Sequence, residues 1–210
     1  MRRIEQEGVE IVAKLMAVAA RTAPKTGGAD WIKTMVATEE EKKAVAAKML
    51  EVADIKAKAI QGPDEERSGA LRMDWGSDAG TVERSNLLML FGVQGRKVTK
   101  LDCGGCGYQS CAEMCKKKPF SKEEKDFPGP FCIFRVMDLS IAVASAVKIA
   151  MDFNVDNRMM QKIGIAALKL GLLNPCDLVL GVPLSVSGKN IFFDRADKID
   201  AWKILGNVKK

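Results

Sequence analysis

Histidine is absent from all 210 residues. That single absence removes Ser/His and Cys/His nucleophilic catalysis, the usual general base and histidine-ligated zinc chemistry. Aromatic residues are scarce, with one Tyr, three Trp and eight Phe. A platform for single-stranded nucleic acid interleaves stacking rings with basic residues, and the rings are missing here. Proline stands at 7 and glycine at 18, with no internal repeat or low-complexity tract, so the composition is globular. No long uncharged apolar run exists either. The most apolar window, FCIFRVMDLSIAVASAVKIAM (131–151), carries Arg135, Asp138 and Lys148. Three charges within about one bilayer thickness argue against a membrane span. The opening MRRIEQEGVE lacks the apolar core of a signal peptide. A cytoplasmic protein is expected, and in reducing surroundings clustered cysteines point to metal binding or catalysis before disulfides.

Charge is mildly basic, 33 Lys+Arg against 27 Asp+Glu. The signs mostly alternate, as in EEEKK and KEEKDF, which is the pattern of solvated faces; nucleic acid is not an expected partner. A pull on anionic ligands or acidic redox proteins is compatible with it.

One domain spanning residues 1–210 is expected from the length. Val9, Val12, Leu15, Met16 and Ala19 recur at helical spacing over 4–20. Pro24, Gly27 and Gly28 interrupt regular structure, and a short strand follows over 31–37. Thr38 and Glu41 form a capping box for a helix over about 39–53. Residues 62–80 read as turn-rich. SNLLMLFGV (85–93) and CDLVLGVPL (176–184) read as buried strands, too apolar to be one-faced. Helices are expected over about 133–152, apolar on nearly all sides and so central, and over about 156–171. The mixture predicts a three-layer α/β or α+β domain, with the cysteine-rich stretch 101–132 inserted into it.

Four of the six cysteines fall in thirteen positions. Cys103, Cys106 and Cys111 give C-x2-C-x4-C, and Cys132 follows after twenty further residues. The first pair makes a tight turn that aims two thiolates at one centre. Gly104, Gly105 and Gly107 clear side chains from it, letting backbone N–H groups approach inorganic sulfide. Ser110 and Glu113 form a second capping box, so Cys111 opens a helix whose positive end favours thiolate. Pro128-Gly129-Pro130 is a stiff turn that brings Cys132 home. Three close cysteines and one distant, without histidine, suit a [4Fe–4S] cluster. Two alternatives stand beside it. Zinc also takes four cysteines, usually from two separated knuckles, of which only one exists. Cys115, four residues beyond Cys111, competes with Cys132 as fourth ligand but reads first as a small buried hydrophobe, as does Cys176. Lys116–Lys118 read as cations that cap carbonyls at a helix C-terminus, with docking of an acidic electron donor as the other reading.

LDCGGCGYQSCAEMC resembles the small iron–sulfur domain of corrinoid and electron-transfer proteins, with its pattern C-G-x-C-G-x-x-x-C and a later cysteine. Over nearly the whole chain, AARTAPKTGGADW, LDCGGCGYQSCAE, VDNRMMQKIGIAAL and GVPLSVSGKNIFFDR resemble a family of uncharacterised ferredoxin-domain proteins. That family is similar in turn to nitroreductase-like flavoproteins: APKTGGADW stands where they have APSAxNxQPW, 133–152 resembles their buried central helix, and GVP resembles their late GYP strand. The resemblance implies an α+β nitroreductase-like sandwich, a homodimer and FMN at the subunit interface. It places Pro24, Lys25, Thr26, Gly27 and Gly28, with Arg21 beside them, near flavin, and lets Lys189 and Arg195 reach its phosphate. Solvated loop charge is the other reading of Arg21 and Lys25, and a surface turn that of SVSGKN. The chain departs from the flavoprotein pattern in lacking its Asn and Gln and in being one residue shorter there. Arg2 and Arg3 stand too close to the first helix to act as the phosphate-gripping arginine pair.

GVPLSVSGKN is not a P-loop, since six residues separate its glycines and Asn190 follows the lysine. Redox chemistry delegates the difficult step to a cofactor and needs few special side chains. The expectation is therefore a redox protein carrying a [4Fe–4S] cluster on Cys103, Cys106, Cys111 and Cys132 together with FMN, passing electrons to a small acceptor. A partner protein that gives or takes electrons is compatible with it. A flavin-free carrier or sensor and a zinc-stapled interaction module are the alternatives.

Overall fold

The computed structural model describes residues 3–60, 64–121, 123, 125–193 and 195–206. Its centre is set by the continuous apolar run at Leu87–Val93, which forms strand β2 and is buried at every residue. Antiparallel neighbours flank it, β1 (Ile32–Val36) on one side and β4 (Leu178–Ser185) on the other. A two-residue strand, β3 (Asp156–Asn157), extends the sheet beyond β4, giving the order β1-β2-β4-β3. Successive side chains of β2 point to opposite faces, and both faces are covered. Met89 and Phe91, with Val182 and Leu184 of β4, meet helices α1 (Arg3–Thr22) and α5 (Ile133–Asp152). Leu88 and Leu90, with Val179, meet α2 (Glu39–Lys58), α3 (Glu65–Arg84) and α6 (Gln161–Lys169). A short helix α4 (Cys111–Lys116) lies between β2 and α5, and α7 (Ala196–Leu205) packs on α3. The architecture is the expected three-layer α+β sandwich.

The capping box before α2 is formed as the sequence implies: Thr38 Oγ1 accepts from the Glu41 N–H at 3.2 Å, and the Glu41 carboxylate accepts from the Thr38 N–H at 2.8 Å. Three expectations are corrected. The turn-rich reading of 62–80 gives way to helix α3, whose Asp64 cap accepts from the Arg67 N–H; residues 62 and 63 lie outside the described residues. The helix expected over 156–171 begins only at Gln161, because Asp156–Asn157 is drawn into the sheet by β4. Helix α5 is apolar on nearly all sides, but its outer side is not covered: Met137, Ile141 and Met151 face outward, 47%, 39% and 66% exposed. Ile11, Leu15 and Val18 of α1 are likewise exposed, so the sheet-facing stripe of α1 is Val9, Val12, Ala13, Met16 and Ala20. No described helix is long and apolar enough to cross a membrane.

Helix α6 lies unusually close to β4. A Cβ built on Gly164 would stand 1.7 Å from the Val179 carbonyl oxygen, a distance no side chain tolerates. The Gly164→Ala variant must push helix and strand apart, and urea denaturation is expected to show a loss of at least about 1–3 kcal/mol. Unchanged stability would mean that the contact between α6 and β4 is looser than described.

Candidate functional site

The cysteine segment leaves the sheet at the end of β2 and returns at the start of α5, and its two ends are pinned together at one glycine. The Gly95 carbonyl accepts from the Cys132 N–H at 2.8 Å, and the Gly95 N–H donates to the Asp177 carboxylate at 2.5 Å. Burial pushes the Asp177 carboxyl above its ordinary range, opposed by the N–H groups of Gly95 and Arg96 that it accepts from. Arg96 then draws the middle of the segment against its end. Its guanidinium donates to the carbonyls of Cys115 (3.3 Å), Lys117 (2.6 Å) and Pro130 (3.2 Å). The carbonyls at the end of α4 are therefore satisfied by Arg96, and the expectation that Lys116–Lys118 cap them is corrected.

The first cysteine pair lies on a turn closed by the Gly107 N–H to the Gly104 carbonyl at 2.9 Å, and both glycines have positive φ. Gly105 fits against the start of α5, where a Cβ would come within 2.8 Å of Ile133 and 3.7 Å of the Cys103 sulfur. Asp102 accepts from the Cys111 N–H at 2.6 Å, and Ser110 Oγ from the Glu113 N–H at 3.1 Å. The Glu113 carboxylate accepts from the Gln109 N–H at 3.2 Å, which makes only half of the expected capping box. Cys111 is the first residue of α4, and Cys132 stands at the N-cap position of α5.

Burial divides the thiols. Cys103 is exposed, Cys106 and Cys111 are half-buried, and Cys132 and Cys176 are buried. Cys115 is exposed, contrary to its reading as a small buried hydrophobe; Met114 is the residue of α4 that enters the interior. Cys176 is a core residue as expected, and burial pushes its thiol up to about 11. Among the described residues no three Cys, Asp or Glu side chains stand close enough together to hold a metal ion. The donor set nevertheless fits an iron–sulfur cluster in chemistry: soft thiolates, a turn stripped of side chains and a rigid fourth cysteine. Thr99, four residues before Cys103, has a buried hydroxyl without a hydrogen-bond partner among the described residues.

The flavin candidates fall into two separate places. Pro24–Gly28 follows α1, and its loop is stitched to α5 by a buried ion pair. Arg135 and Asp138 meet at 2.6 Å, each side chain 3% exposed. Asp138 accepts from the Thr26 N–H (2.8 Å) and hydroxyl (2.9 Å), while Arg135 donates to the carbonyls of Thr26, Ala29 and Lys97. The same guanidinium thus holds the 24–29 loop and the root of the cysteine segment. Gly27 and Gly28 adopt positive φ and have open space beside them. Lys25 donates to the carbonyls of Ala20, Arg21 and Ala23, and Arg21 pairs with Asp30 at 2.5 Å, so both cations are engaged within the protein.

Arg195 lies elsewhere, on the α2–α3–α6 side of the sheet. Its buried guanidinium pairs with Asp78 at 2.5 Å, within a cluster that also holds Asp74, Lys162 and Lys198. Trp202 Nε1 adds a hydrogen bond to Asp74 at 2.7 Å. Lys189 is on the exposed turn after β4. One chain does not bring Lys189 and Arg195 to the Pro24–Gly28 loop. A cation that sequence reading missed lies nearby: Arg158 lines a cavity of about 570 Å³ with Asn154, Asn157, Asn190 and Phe193. Burial and the neighbouring Arg195 pull its guanidinium below the ordinary arginine range, with Asp78 and Asp74 opposing. The stretch VDNRMM contained the signal, a cation beside amide side chains, with no motif spacing to mark it.

A family model described as "Uncharacterized protein containing a ferredoxin domain (DUF2148)" matches residues 128–195, which take in Cys132, α5 and β4. A protein of Archaeoglobus fulgidus, printed as "Uncharacterized protein", is 41% identical over 194 residues, covering 92% of this chain and 95% of its own. The chain belongs to this ferredoxin-domain family. Among solved structures, a nitroreductase with bound FMN from Desulfitobacterium hafniense matches the ferredoxin-domain chain with a TM-score of 0.50 at 12% identity, covering 85% of this chain and 78% of that one. Nitroreductase A from Vibrio parahaemolyticus and an NADPH:FMN oxidoreductase from Vibrio harveyi each give 0.49, at 11% and 10% identity. Each is covered over 85% of this chain, which spans 59% and 60% of their lengths. Identity at that level speaks to the fold alone, and the fold is nitroreductase-like.

Two outcomes follow for this ferredoxin-domain protein. Replacing Arg135 by Leu leaves Asp138 charged and buried, and urea denaturation is expected to lose about 3–5 kcal/mol; hydrogen exchange should quicken in both the 24–29 loop and residues 95–100. The second concerns acid. Burial raises the Asp78 carboxyl, but Lys162 and Lys198 outweigh it and the net direction is down, so its stabilisation is present above the ordinary carboxylate range and is lost as pH falls. The stability gap between wild type and Asp78→Asn should shrink from pH 7 to about pH 3; a gap independent of pH would contradict the assignment.

Proposed function

We propose that this protein is a redox protein in which Cys103, Cys106, Cys111 and Cys132 hold a [4Fe–4S] cluster. The redox role follows the family and the fold. The observation that carries the cluster is the Arg96 clamp: one guanidinium ties the end of the three-cysteine stretch to the Pro130 carbonyl, two residues before Cys132. Such a cluster supplies single-electron chemistry. The chain's own residues fix its root, exclude water at Cys132 and hold the neighbouring carboxylates Asp102 and Asp177 on backbone N–H groups.

FMN is the second part of the reading. The positive-φ backbone of Gly27–Gly28 offers close approach to a flat ligand, and Arg158 offers a cation at a cavity of about 570 Å³, within the range of about 300–1,000 Å³ usual for cofactor sites. A flavin touching both the 24–28 loop and the Lys189–Arg195 region needs two copies of the chain. The exposed apolar faces of α1 and α5 supply a surface for that homodimer. A flavin-free carrier or sensor is the second reading. It is favoured by Arg21, Lys25 and Arg195 all being engaged in protein contacts rather than available to a phosphate.

Anaerobically purified protein should contain about four irons and four sulfides per chain and a broad visible absorption band. Cys106→Ser should remove that band and speed tryptic cleavage after Lys100 and Lys116–Lys118, since an unfilled loop stays open. An unaltered spectrum in the variant would sink the ligand assignment. Flavin released on denaturation, counted against chains, separates the two readings.

A further inference from the structure

The cysteine segment carries a surface that ligand binding leaves unused. Lys97, Lys100, Lys116, Lys117 and Lys118 are all exposed. They are brought together by Arg96, which precedes Lys97 in the chain and grips the Cys115 and Lys117 carbonyls at the end of α4. Because Arg96 satisfies those carbonyls, the three lysines of 116–118 are not consumed as a helix cap. Two of the ammonium groups stand over rings, Lys97 5.0 Å from Trp31 and Lys117 5.9 Å from Tyr108, which holds their stems along the surface. Lys100, Lys116 and Lys118 have no ion-pair partner among the described residues. Two carboxylates of the segment accept from backbone, Asp102 from the Cys111 N–H and Glu113 from the Gln109 N–H. Leu101 and Phe120 lie in the same segment, 60% and 53% exposed. Exposed apolar side chains beside an excess of cations, here five lysines against the exposed Asp102, Glu113 and Glu123, are a common make-up of a transient docking surface.

We propose that this lysine collar docks a small acidic one-electron carrier protein over the cysteine turn. Leu101 and Phe120 make the dry contact, and the lysines steer and orient the partner. One electron leaves the reduced carrier and enters the cluster; the carrier is oxidised by one electron, the cluster is reduced by one, and no bond or proton is exchanged. The electron step rests on the cluster reading, whereas the docking does not.

The test uses the full chain and, as probe, an acidic bacterial ferredoxin with two clusters, with iron and sulfide assayed on the same preparation. Calorimetric affinity for the oxidised probe is expected to fall about tenfold or more between roughly 20 mM and 200 mM NaCl. The variant K97Q/K100Q/K116Q/K118Q should bind about tenfold more weakly at low salt and lose most of the salt dependence. A control that removes the same charge elsewhere, K14Q/K58Q/K148Q/K203Q, should bind as the wild type does. In iron-loaded protein, reduction by the dithionite-reduced probe should slow in the collar variant, and reduction by methyl viologen should not. Absence of binding, salt-independent binding, an equal loss in the control, or equal affinity for a basic cytochrome each overturns the docking. Absence of iron and sulfide overturns the cluster reading instead, and leaves the binding comparison readable.

Discussion

The 24–29 loop and the root of the cysteine segment meet at the Arg135–Asp138 pair in the first two turns of α5. Removing two charges from water costs several kcal/mol per ion in an interior, so such a pair persists only where every remaining donor and acceptor is matched. Here they are. The carboxylate accepts from the Thr26 N–H and hydroxyl as well as from Arg135, and the guanidinium reaches the carbonyls of Thr26, Ala29 and Lys97. Those acceptors belong to two irregular segments that share no hydrogen-bonded secondary structure. A single side chain therefore sets how the glycine pair after α1 lies relative to the root of the cysteine segment. A buried charge is weak evidence for stability and better evidence for geometry, and geometry is its evident use here.

The second buried charge cluster does a different job on the other side of the sheet. Asp74 and Asp78 of α3 meet Lys162 of α6, Arg195 and Lys198, and the Trp202 indole closes the set. It fastens the end of the described chain to the α2–α3–α6 layer. Ile199 and Ile204 of α7 face outward and Ala201 is its fully buried apolar residue, so ionic contacts supplement the packing there. Cations that a sequence reading assigns to a phosphate are in this way absorbed into the frame.

The frame was legible where one physical signal dominated. A run of apolar residues too long to be one-faced located β2 and β4, and the Thr38–Glu41 capping box located α2. Helix α3 was hidden because Gly69, Gly76 and Gly80 read as breakers and its apolar positions are few; tertiary packing of Trp75, Ala79 and Val82 overrides that weak propensity. Arg135 and Asp138 were visible only as charges that argue against a membrane span, since nothing in local sequence says that partners 109 and 112 residues away await them. Cys115 misled for the opposite reason. Free cysteines are usually buried, but α4 is a single exposed turn with only Met114 turned inward. The four candidate cysteines stand out by spacing, whereas the Arg96 clamp that ties their segment to the Pro130 carbonyl carries no sequence signal.

Cys132 is the buried member of the four candidate cysteines, and Cys103, Cys106 and Cys111 are the more accessible ones. The two apolar cores that cover the faces of the sheet draw no fully buried residue from 94–131. On the proposed cluster reading, completing the sandwich and filling the cysteine loop are separable events. The first leaves one thiol in a fixed seat beside an opening, and the second brings the other three to it from outside. Occupancy of the loop would then be a variable that iron supply or oxidation sets, without unfolding the body that displays it.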